Sequence, residues 1–249
     1  MEFRLIIDSK PRNAYENMSI DLAIQKLYKK PVLRFYGWNP AAVSIGRFQN
    51  IKKEVNLEFC KKNKIDVVRR VSGGGAVFHD KEVTYSLCIK EKNGLFPEDL
   101  IESYKSVCEG VIIGIKKLGL RAEYSPINDL LINGKKFSGC AQTRKEGIFL
   151  QHGTVLIDID FDKMFSAINV SDEKIKDKQI SNAKERVTSL KKELGREVLI
   201  DELVKNIVLG FKENFKIEFK KDHLSEEEIK LAKQLEQEIF KDEKWTYER

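Results

Sequence analysis

The spacing of apolar residues along the chain switches repeatedly between a helical and a strand period, which predicts interleaved helices and strands. Apolar positions three and four residues apart favour helices, and short β-branched runs favour strands. The predicted helices cover residues 17–29, 56–63, 97–118, 201–214 and 225–240. The predicted strands cover residues 3–7, 32–36, 42–45, 65–68, 76–78, 83–89, 130–132, 135–137, 148–157 and 215–219.

This order of elements predicts one fold class. No repeat and no linker rich in Gly, Pro or Ser divides the 249 residues, and 41% hydrophobic content is enough for a substantial core. The sequence therefore predicts a single α/β (α+β) domain over residues 1–249, built on a mixed β-sheet with flanking helices.

A glycine-rich stretch interrupts the strands at residues 69–80, which read Arg-Arg-Val-Ser-Gly-Gly-Gly-Ala-Val-Phe-His-Asp. Consecutive glycines bring no side chain to a core and cost backbone entropy on folding. What they permit is positive φ and a close approach of backbone N–H groups to an anion. The pattern is a strand, a glycine loop and a predicted hairpin over residues 76–89, unlike the dinucleotide fingerprint or the lysine-bearing phosphate loop. A flexible turn is the alternative, but the arginines before the loop and His79-Asp80 after it favour a binding site.

A second polar and glycine-rich block covers residues 128–157. Asn133-Gly134, between two β-rich runs, predicts a type I′ hairpin that carries a lysine pair, Lys135-Lys136. Glycines and polar side chains crowd the strands that follow, which indicates backbone close to a ligand. Lysine and arginine side chains with aimed amides are what a nucleotide phosphate requires. The sequence shows no Ser-His-Asp pattern with a nucleophile elbow, and no carboxylate pair framed for acid–base catalysis.

Charge and cysteine content disfavour several functional classes. The 45 basic and 39 acidic residues leave a net charge of +6. The lysines alternate with Glu and Asp, without an Arg-rich stripe, which disfavours nucleic acid as a partner. Cys60, Cys88, Cys108 and Cys140 are scattered without zinc spacing, and with only three histidines this argues against a structural metal and for a reducing compartment. Early N-terminal charges and the lack of a long apolar run disfavour a signal peptide or a membrane span, so a cytoplasmic location is expected.

Four blocks in this order resemble the lipoate–protein ligase family. They are residues 69–80, Asn128-Asp129, Lys136-Phe-Ser-Gly139 and His152-Gly-Thr154. The resemblance extends to residues 33–38, 43–46 and 187–190, and so spans nearly the whole chain. It implies the fold that this family shares with biotin–protein ligases and octanoyltransferases.

The resemblance implies a two-step reaction with ATP and magnesium as cofactors and lipoate as substrate. Lipoate attacks the α-phosphate of ATP to give lipoyl-adenylate, and the lipoyl group then passes to a lysine of a lipoyl domain. Lys136 matches the family's essential lysine and is expected to meet the negative charge that develops during attack. The implied substrate- and nucleotide-binding residues are Arg70, Ser72, Gly73, Gly74, Gly75, Ala76, Val77, Phe78, His79, Asn128, Asp129, Ser138, Gly139 and His152.

For four of these residues the resemblance leaves two roles open. His79 and His152 are expected either to contact the ligand or to fix the loops. Asn128 and Asp129 are expected to face the nucleotide or magnesium, with Asp129 as the candidate metal ligand. Residues 174–184 are polar and rich in lysine, which predicts a mobile surface loop. They stand where the family closes a loop over the adenylate.

The resemblance also implies partners. The acceptors would be lipoyl domains of 2-oxoacid dehydrogenase E2 subunits or the glycine-cleavage H protein. The family's C-terminal accessory domain has no counterpart before Arg249, so a bipartite type is expected, in which a separate small protein docks near this end. Trp245 and Tyr247 support the expectation because little of the chain remains for them to pack on.

Two other functions stay open beside the ligase, which is the primary prediction. Related octanoyltransferases also lack the extra domain and carry the acyl chain on a cysteine. Cys140 stands where a small polar residue is commoner, although residues 123–127, where one branch supplies its cysteine, contain none. The second alternative is a non-catalytic regulator that binds a nucleotide or a lipoyl domain, and the retained Lys136 and glycine loop argue against it.

Overall fold

The framework consists of two β-sheets and the helices that cover them. The computed structural model describes residues 1–92, 94–169 and 185–248. The strands are β1 (Glu2–Ile7), β2 (Val32–Tyr36), β3 (Ala42–Ile45), β4 (Asp66–Arg69), β5 (Val77–His79), β6 (Glu82–Lys90), β7 (Ala122–Ser125), β8 (Asp129–Ile132), β9 (Lys135–Lys145), β10 (Ile148–Leu156) and β11 (Glu218–Lys221). The helices are α1 (Ala14–Lys26), α2 (Ile51–Glu54), α3 (Leu57–Lys62), α4 (Leu100–Lys117), α5 (Phe161–Ala167), α6 (Leu190–Leu194), α7 (Ile200–Phe215), α8 (Glu226–Leu235) and α9 (Glu243–Thr246), and a π-helical turn (Glu236–Phe240) follows α8 directly.

The larger sheet has eight strands in the order β11-β1-β2-β6-β10-β9-β8-β7. Strand β1 pairs in parallel with β2 and β11, and the other neighbouring pairs are antiparallel. The smaller sheet has the order β4-β3-β5, with β3 parallel to β4 and antiparallel to β5. The chain therefore has the predicted α/β class, with a mixed sheet and flanking helices.

Alternate residues of the central strand β2 enter two different layers, as the strand period requires. Leu33 and Phe35 join the cluster that α4 and α7 cover. Val32 and Tyr36 join the cluster that α1 and α8 cover. Burial on both faces explains why this strand reads as a nearly continuous apolar run.

Two local sequence signals are confirmed by the structure. Asn133 and Gly134 both have positive φ, at 50° and 72°, as a type I′ turn requires. Ser225 caps α8 with a capping box closed by Glu228. Helix α1 begins earlier than predicted, at Ala14, because the Asn13 side chain accepts a hydrogen bond from the Glu16 N–H and caps it there.

Two sequence predictions of local structure are wrong. The expected hairpin after the glycine loop does not form, because β5 pairs with β3 in the small sheet while β6 pairs with β2 and β10 in the large one. The strand predicted over residues 215–219 begins only at Glu218, because α7 continues to Phe215. The predicted mobile loop over residues 174–184 lies outside the described residues.

The C-terminal aromatic side chain that was expected to lack a packing partner is well packed. Trp245 packs against the cluster under α1 and donates its indole N–H to the Arg69 carbonyl at 2.8 Å. Its ring also meets Phe240 edge-on and lies under the Arg47 guanidinium. The separate accessory protein therefore stays a prediction, and an unpacked Trp245 no longer supports it. No helix in the described part of the chain is long and apolar enough to cross a membrane.

Candidate active site

The Arg70 side chain fixes the glycine loop by hydrogen bonds. Its Nη2 donates to the carbonyls of Gly73 and Gly75 at 2.7 and 2.8 Å, and its Nη1 donates to the Ser44 carbonyl and hydroxyl at 3.0 and 3.1 Å. Burial lowers the pKa of Arg70 to about 10, so the side chain stays charged at neutral pH. Both terminal nitrogens therefore fix the loop to strand β3.

Two glycines make this loop conformation possible. Gly74 has a φ of 94°, which confirms the positive φ expected of the triple-glycine run. Gly46, at the end of β3, lies directly against the loop, since a Cβ there would be 2.0 Å from the Gly74 carbonyl oxygen. Only glycine at position 46 lets the loop approach β3 this closely.

The neighbouring arginine anchors the same loop to the C-terminal helix. Arg69 is fully buried and donates to the carbonyls of Gln49, Trp245 and Thr246 at 2.7, 3.0 and 2.9 Å. The Trp245 indole returns a hydrogen bond to the Arg69 carbonyl. The arginine pair is thus a scaffold for the loop, with Arg69 facing the protein interior.

A cavity of about 130 Å³ lies where the glycine loop meets both sheets. Eleven of the sixteen residues singled out from the sequence line it: Arg70, Gly74, Gly75, Ala76, Val77, His79, Asn128, Lys136, Gly139, Cys140 and His152. The resemblance therefore identified most of this lining.

Ser72, Gly73, Phe78, Asp129 and Ser138, which also belong to the expected set, are not among the lining residues. Ser72 bonds to His152 at 2.6 Å, Phe78 enters the core of the small sheet, and Ser138 is buried beside β8. The lining also includes residues that the prediction missed: Met18, Tyr36, Trp38, Ser44, Thr84, Ala141, Gly153 and Thr154. Tyr36, Trp38, Ser44, Gly153 and Thr154 belong to segments that carry the family resemblance, whereas no sequence signal marked Met18, Thr84 and Ala141.

Lys136 stands at the mouth of the cavity with its charge paired. Its Nζ lies 2.7 Å from the Asp129 carboxylate, and the two side chains are 44% and 32% exposed. The pair lies over Gly139, where an added Cβ would be 3.1 Å from Nζ. The Thr188 N–H donates a hydrogen bond to the Lys136 carbonyl, which fixes the backbone of Lys136. A half-exposed lysine so placed can reach a ligand in the cavity.

Each cavity histidine bridges a serine and a carboxylate, which the sequence did not predict. His79 Nε2 lies 2.7 Å from Ser44 Oγ and its Nδ1 lies 2.9 Å from Glu82 Oε1. His152 Nε2 bonds to Ser72, and its Nδ1 lies 3.4 Å from Asp21 Oδ2. Ser44, Ser72 and Asp21 are far in sequence from the histidines that they contact, so no local motif reveals those pairs. Glu82 is only three residues after His79.

A family model described as the lipoyl protein ligase A/B catalytic domain matches residues 13–212. The chain belongs to this family. The match covers the glycine loop, Lys136 and the whole cavity lining.

Curated relatives within the family decide between its activities. The chain is 36% identical to the octanoyltransferase LipM of Clostridioides difficile, over 98% of both chains, and 33% identical to the octanoyltransferase LipM of Bacillus subtilis, over 98% and 97%. The prediction of an ATP-dependent lipoate–protein ligase is therefore wrong as the primary assignment. The alternative kept open from the sequence, an octanoyltransferase, is the better supported one. The more general prediction, that the protein is an enzyme of the lipoate ligase and octanoyltransferase family, is confirmed.

Solved structures confirm the fold. A bipartite lipoate protein ligase of Thermoplasma acidophilum, studied with its E2 lipoyl domain, superposes with a TM-score of 0.91 at 33% identity, covering 99% of this chain and 96% of that one. A lipoate-protein ligase A bound with ATP gives 0.86 at 29% identity, covering 99% of each chain. The chain thus has the fold of these lipoate protein ligases.

Cys140, the acyl-carrying residue of the transferase alternative, lines the cavity from β9. Because successive strand residues alternate faces, its side chain enters the core under α4, where its Sγ lies 3.6 Å from Cys108 Sγ and 3.3 Å from the Asn128 carbonyl oxygen. Burial raises the pKa of the Cys140 thiol well above its usual range. The thiol is therefore protonated at rest.

Magnesium stays a prediction, since one or two carboxylates with the phosphates of a nucleotide are enough to hold it. No group of three or more His, Cys, Asp or Glu side chains in residues 1–92, 94–169 and 185–248 could hold a metal ion. The candidate ligand Asp129 is paired with Lys136.

Proposed function

We propose that this protein is an octanoyltransferase that moves an octanoyl group from acyl carrier protein to a lysine of a lipoyl domain. The observation that supports this best is the meeting of Lys136, the glycine loop and Cys140 at one cavity. The similarity to curated octanoyltransferases over nearly the full length supports the same class.

The cavity supplies the two things that acyl transfer from a thioester needs. Attack on the acyl carbonyl places negative charge on its oxygen, and a cation or donor fixed at that point lowers the barrier. In the proposal Lys136 and the backbone of Gly75 and Ala76 meet this charge. The fixed loop, held by Arg70, supplies the positioning without reorganisation during the reaction.

Cys140 is the acyl carrier in this proposal, because the other three cysteines do not belong to the lining. Its thiol rests in the core beside Cys108, so the side chain has to rotate toward the cavity to react. Its sulfur attacks the carbonyl carbon of the donor thioester. A new C–S bond forms, the bond to the carrier sulfur breaks, and the Cys140 proton ends on the released carrier thiol. Because burial holds the thiol protonated, proton loss has to accompany attack instead of preceding it.

The acceptor lysine completes the transfer. Its ε-nitrogen attacks the enzyme-bound thioester, an amide bond forms, and the Cys140 sulfur is released as a thiol. A lipoyl domain is the expected acceptor. The lipoylation system of the Thermoplasma relative, which includes an E2 lipoyl domain, is consistent with it.

The test offers octanoyl-acyl carrier protein and a lipoyl domain without nucleotide, and measures octanoylation of the domain by intact mass. Transfer is expected from the unsubstituted protein, and an octanoyl adduct on the enzyme is expected when the lipoyl domain is left out. Cys140→Ser should lose both signals, with Cys60→Ser as the matched buried-cysteine control. Transfer without any adduct would remove Cys140 from the mechanism, and no transfer at all would refute the proposed function.

A further inference from the structure

A chain of hydrogen bonds runs through the wall of the cavity from Trp38 to Arg70. The Trp38 indole N–H donates to Thr84 Oγ1 at 2.8 Å, and Thr84 donates to Glu82 Oε1 at 2.7 Å. The same Glu82 oxygen lies 2.9 Å from His79 Nδ1, whose Nε2 lies 2.7 Å from Ser44 Oγ. Arg70 Nη1 then donates to Ser44 Oγ at 3.1 Å.

The two ends of this chain restrict where its protons can lie. Indole and guanidinium groups only donate, and an ionised carboxylate only accepts. Thr84 must therefore give its proton to Glu82, and His79 must carry its proton on Nδ1. Ser44 accepts from Arg70, which leaves its own proton able to point at His79 Nε2. In that arrangement the lone pair of Nε2 faces Ser44.

We infer that Ser44, His79 and Glu82 form a proton relay that deprotonates the acceptor lysine during acyl transfer, with His79 as the general base. Ser44 and His79 both line the cavity. Free lysine has a pKa of about 10.4, so at neutral pH it loses one proton to water to become the attacking amine. The amine loses a second proton as the amide forms, and this is the proton that the relay takes. This inference rests on the proposed function and assigns a role to groups that the acyl-transfer steps above do not use.

The step balances without a further reactant. The lysine ε-nitrogen attacks the carbonyl carbon of the thioester, so that a C–N bond forms and the C–S bond breaks. One N–H proton passes to Ser44 Oγ while the Ser44 proton moves to His79 Nε2. The resulting imidazolium, stabilised by the Glu82 charge, returns a proton to the departing thiolate. His79 is then neutral again.

The charges around His79 suit a general base better than the charges around His152, the other histidine of the cavity. Asp21, the partner of His152, is already neutralised by Arg34 at 2.8 Å and bonded by Tyr36 at 2.9 Å. Glu82 forms no ion pair with a lysine or arginine among the described residues, and its Oε2 is buried there without a hydrogen-bond partner. Its charge is therefore available to an imidazolium on His79.

The packing around His79 also suits a base. Trp38 stacks on the imidazole with centroids 3.9 Å apart and planes 13° from parallel. The ring is therefore held in one orientation, between the flat indole and its two hydrogen bonds. Glu82 acts as the positioning residue, because it touches His79 and not the cavity.

The experiment compares two acceptors for the same octanoyl donor. One is the lipoyl-domain lysine. The other is hydroxylamine, whose nitrogen is weakly basic and therefore needs no base from the enzyme to lose its proton. His79→Gln should lower kcat for the lysine about a hundredfold or more, with little change in KM for the lipoyl domain. Octanoyl-hydroxamate formation by the same variant should stay within about threefold of the unsubstituted protein. His223→Gln, at the third histidine and outside the cavity, is the matched control.

Glu82→Gln keeps the shape of the side chain and removes its charge, so it tests the relay if His79→Gln folds poorly. It should lower lysine transfer roughly tenfold or more while hydroxamate formation persists. Equal losses with both acceptors, or undiminished lysine transfer, would overturn the relay alone. If the unsubstituted protein does not transfer octanoyl from the carrier, the proposed function fails and the relay with it.

Discussion

Arg69 and Trp245 lie 176 residues apart and hold each other by two hydrogen bonds. The Arg69 Nε donates to the Trp245 carbonyl at 3.0 Å, and the Trp245 indole donates to the Arg69 carbonyl at 2.8 Å. Because Arg69 directly precedes the residue that holds the glycine loop, the C-terminal helix is part of the foundation of the active site.

Trp245→Phe removes the indole donor and keeps an aromatic ring. We expect the free energy of unfolding to fall by about 1–3 kcal/mol, because a buried carbonyl loses a hydrogen bond. Urea unfolding followed by circular dichroism measures this loss. Tyr247→Phe is the control, since Tyr247 is 46% exposed and the change should cost less than about 0.5 kcal/mol. Equal effects of the two substitutions would contradict the role given to Trp245.

Gly46→Ala tests the contact between β3 and the glycine loop. The added methyl group would lie 2.0 Å from the Gly74 carbonyl oxygen, so the loop has to move away. We expect octanoyl transfer to fall at least tenfold, since small displacements of positioned groups are costly to catalysis. Gly37→Ala is the matched control, because a Cβ there meets Pro11 at an ordinary 3.4 Å. Normal activity of Gly46→Ala would show that the close approach is unimportant.

Lys136→Ala should lower octanoyl transfer by about a hundredfold or more, because it removes the cation that meets the developing oxyanion. The fold should persist, since the side chain is 44% exposed and its ion pair with Asp129 is near the surface. The assay is the rate of lipoyl-domain octanoylation, with the melting temperature as the check on folding. Lys135→Ala, one residue away, should stay within about threefold. Similar losses for both lysines would contradict a specific role for Lys136.

The buried thiols predict a loss of stability in alkaline solution. Burial raises the pKa of Cys60 to about 11 and also raises the pKa of Cys88, whereas a thiol in the unfolded chain titrates near about 8.5. Above that pH the unfolded chain binds fewer protons than the folded one, so the free energy of unfolding falls as pH rises. Each thiol contributes up to about 1.4 kcal/mol per pH unit. Urea unfolding between pH 7 and 10 should show a shallower slope for Cys88→Ala, and an unchanged slope would contradict this account.

The sequence predicted the elements whose signals are local. The Asn133-Gly134 turn and the Ser225 capping box depend on neighbouring residues, and both appear as expected. The pairing of β5 and β6 in different sheets was missed, because strand partners distant in sequence decide it. The same limit hid Ser44 from the predicted site, since only the folded small sheet brings it to His79. Glu82, three residues after His79, was missed although it is near in sequence.

Neither the residue spacing nor the family resemblance distinguished a ligase from a transferase. Motifs common to ligases and transferases, such as Lys136 and the glycine loop, mark the cavity but not the acyl donor. Full-length similarity to octanoyltransferases distinguishes the two. The orientation of Cys140 toward Cys108 is a further fact that no sequence pattern contained.

The source of the transferred acyl group is the most direct test of the central claim. One reaction would contain unlabelled octanoyl-acyl carrier protein, deuterated free octanoate with ATP and magnesium, the lipoyl domain and this protein. The intact mass of the modified domain then reports which donor was used. An octanoyltransferase gives the unlabelled product at the same rate with or without ATP. Deuterated product that depends on ATP would contradict the proposed function.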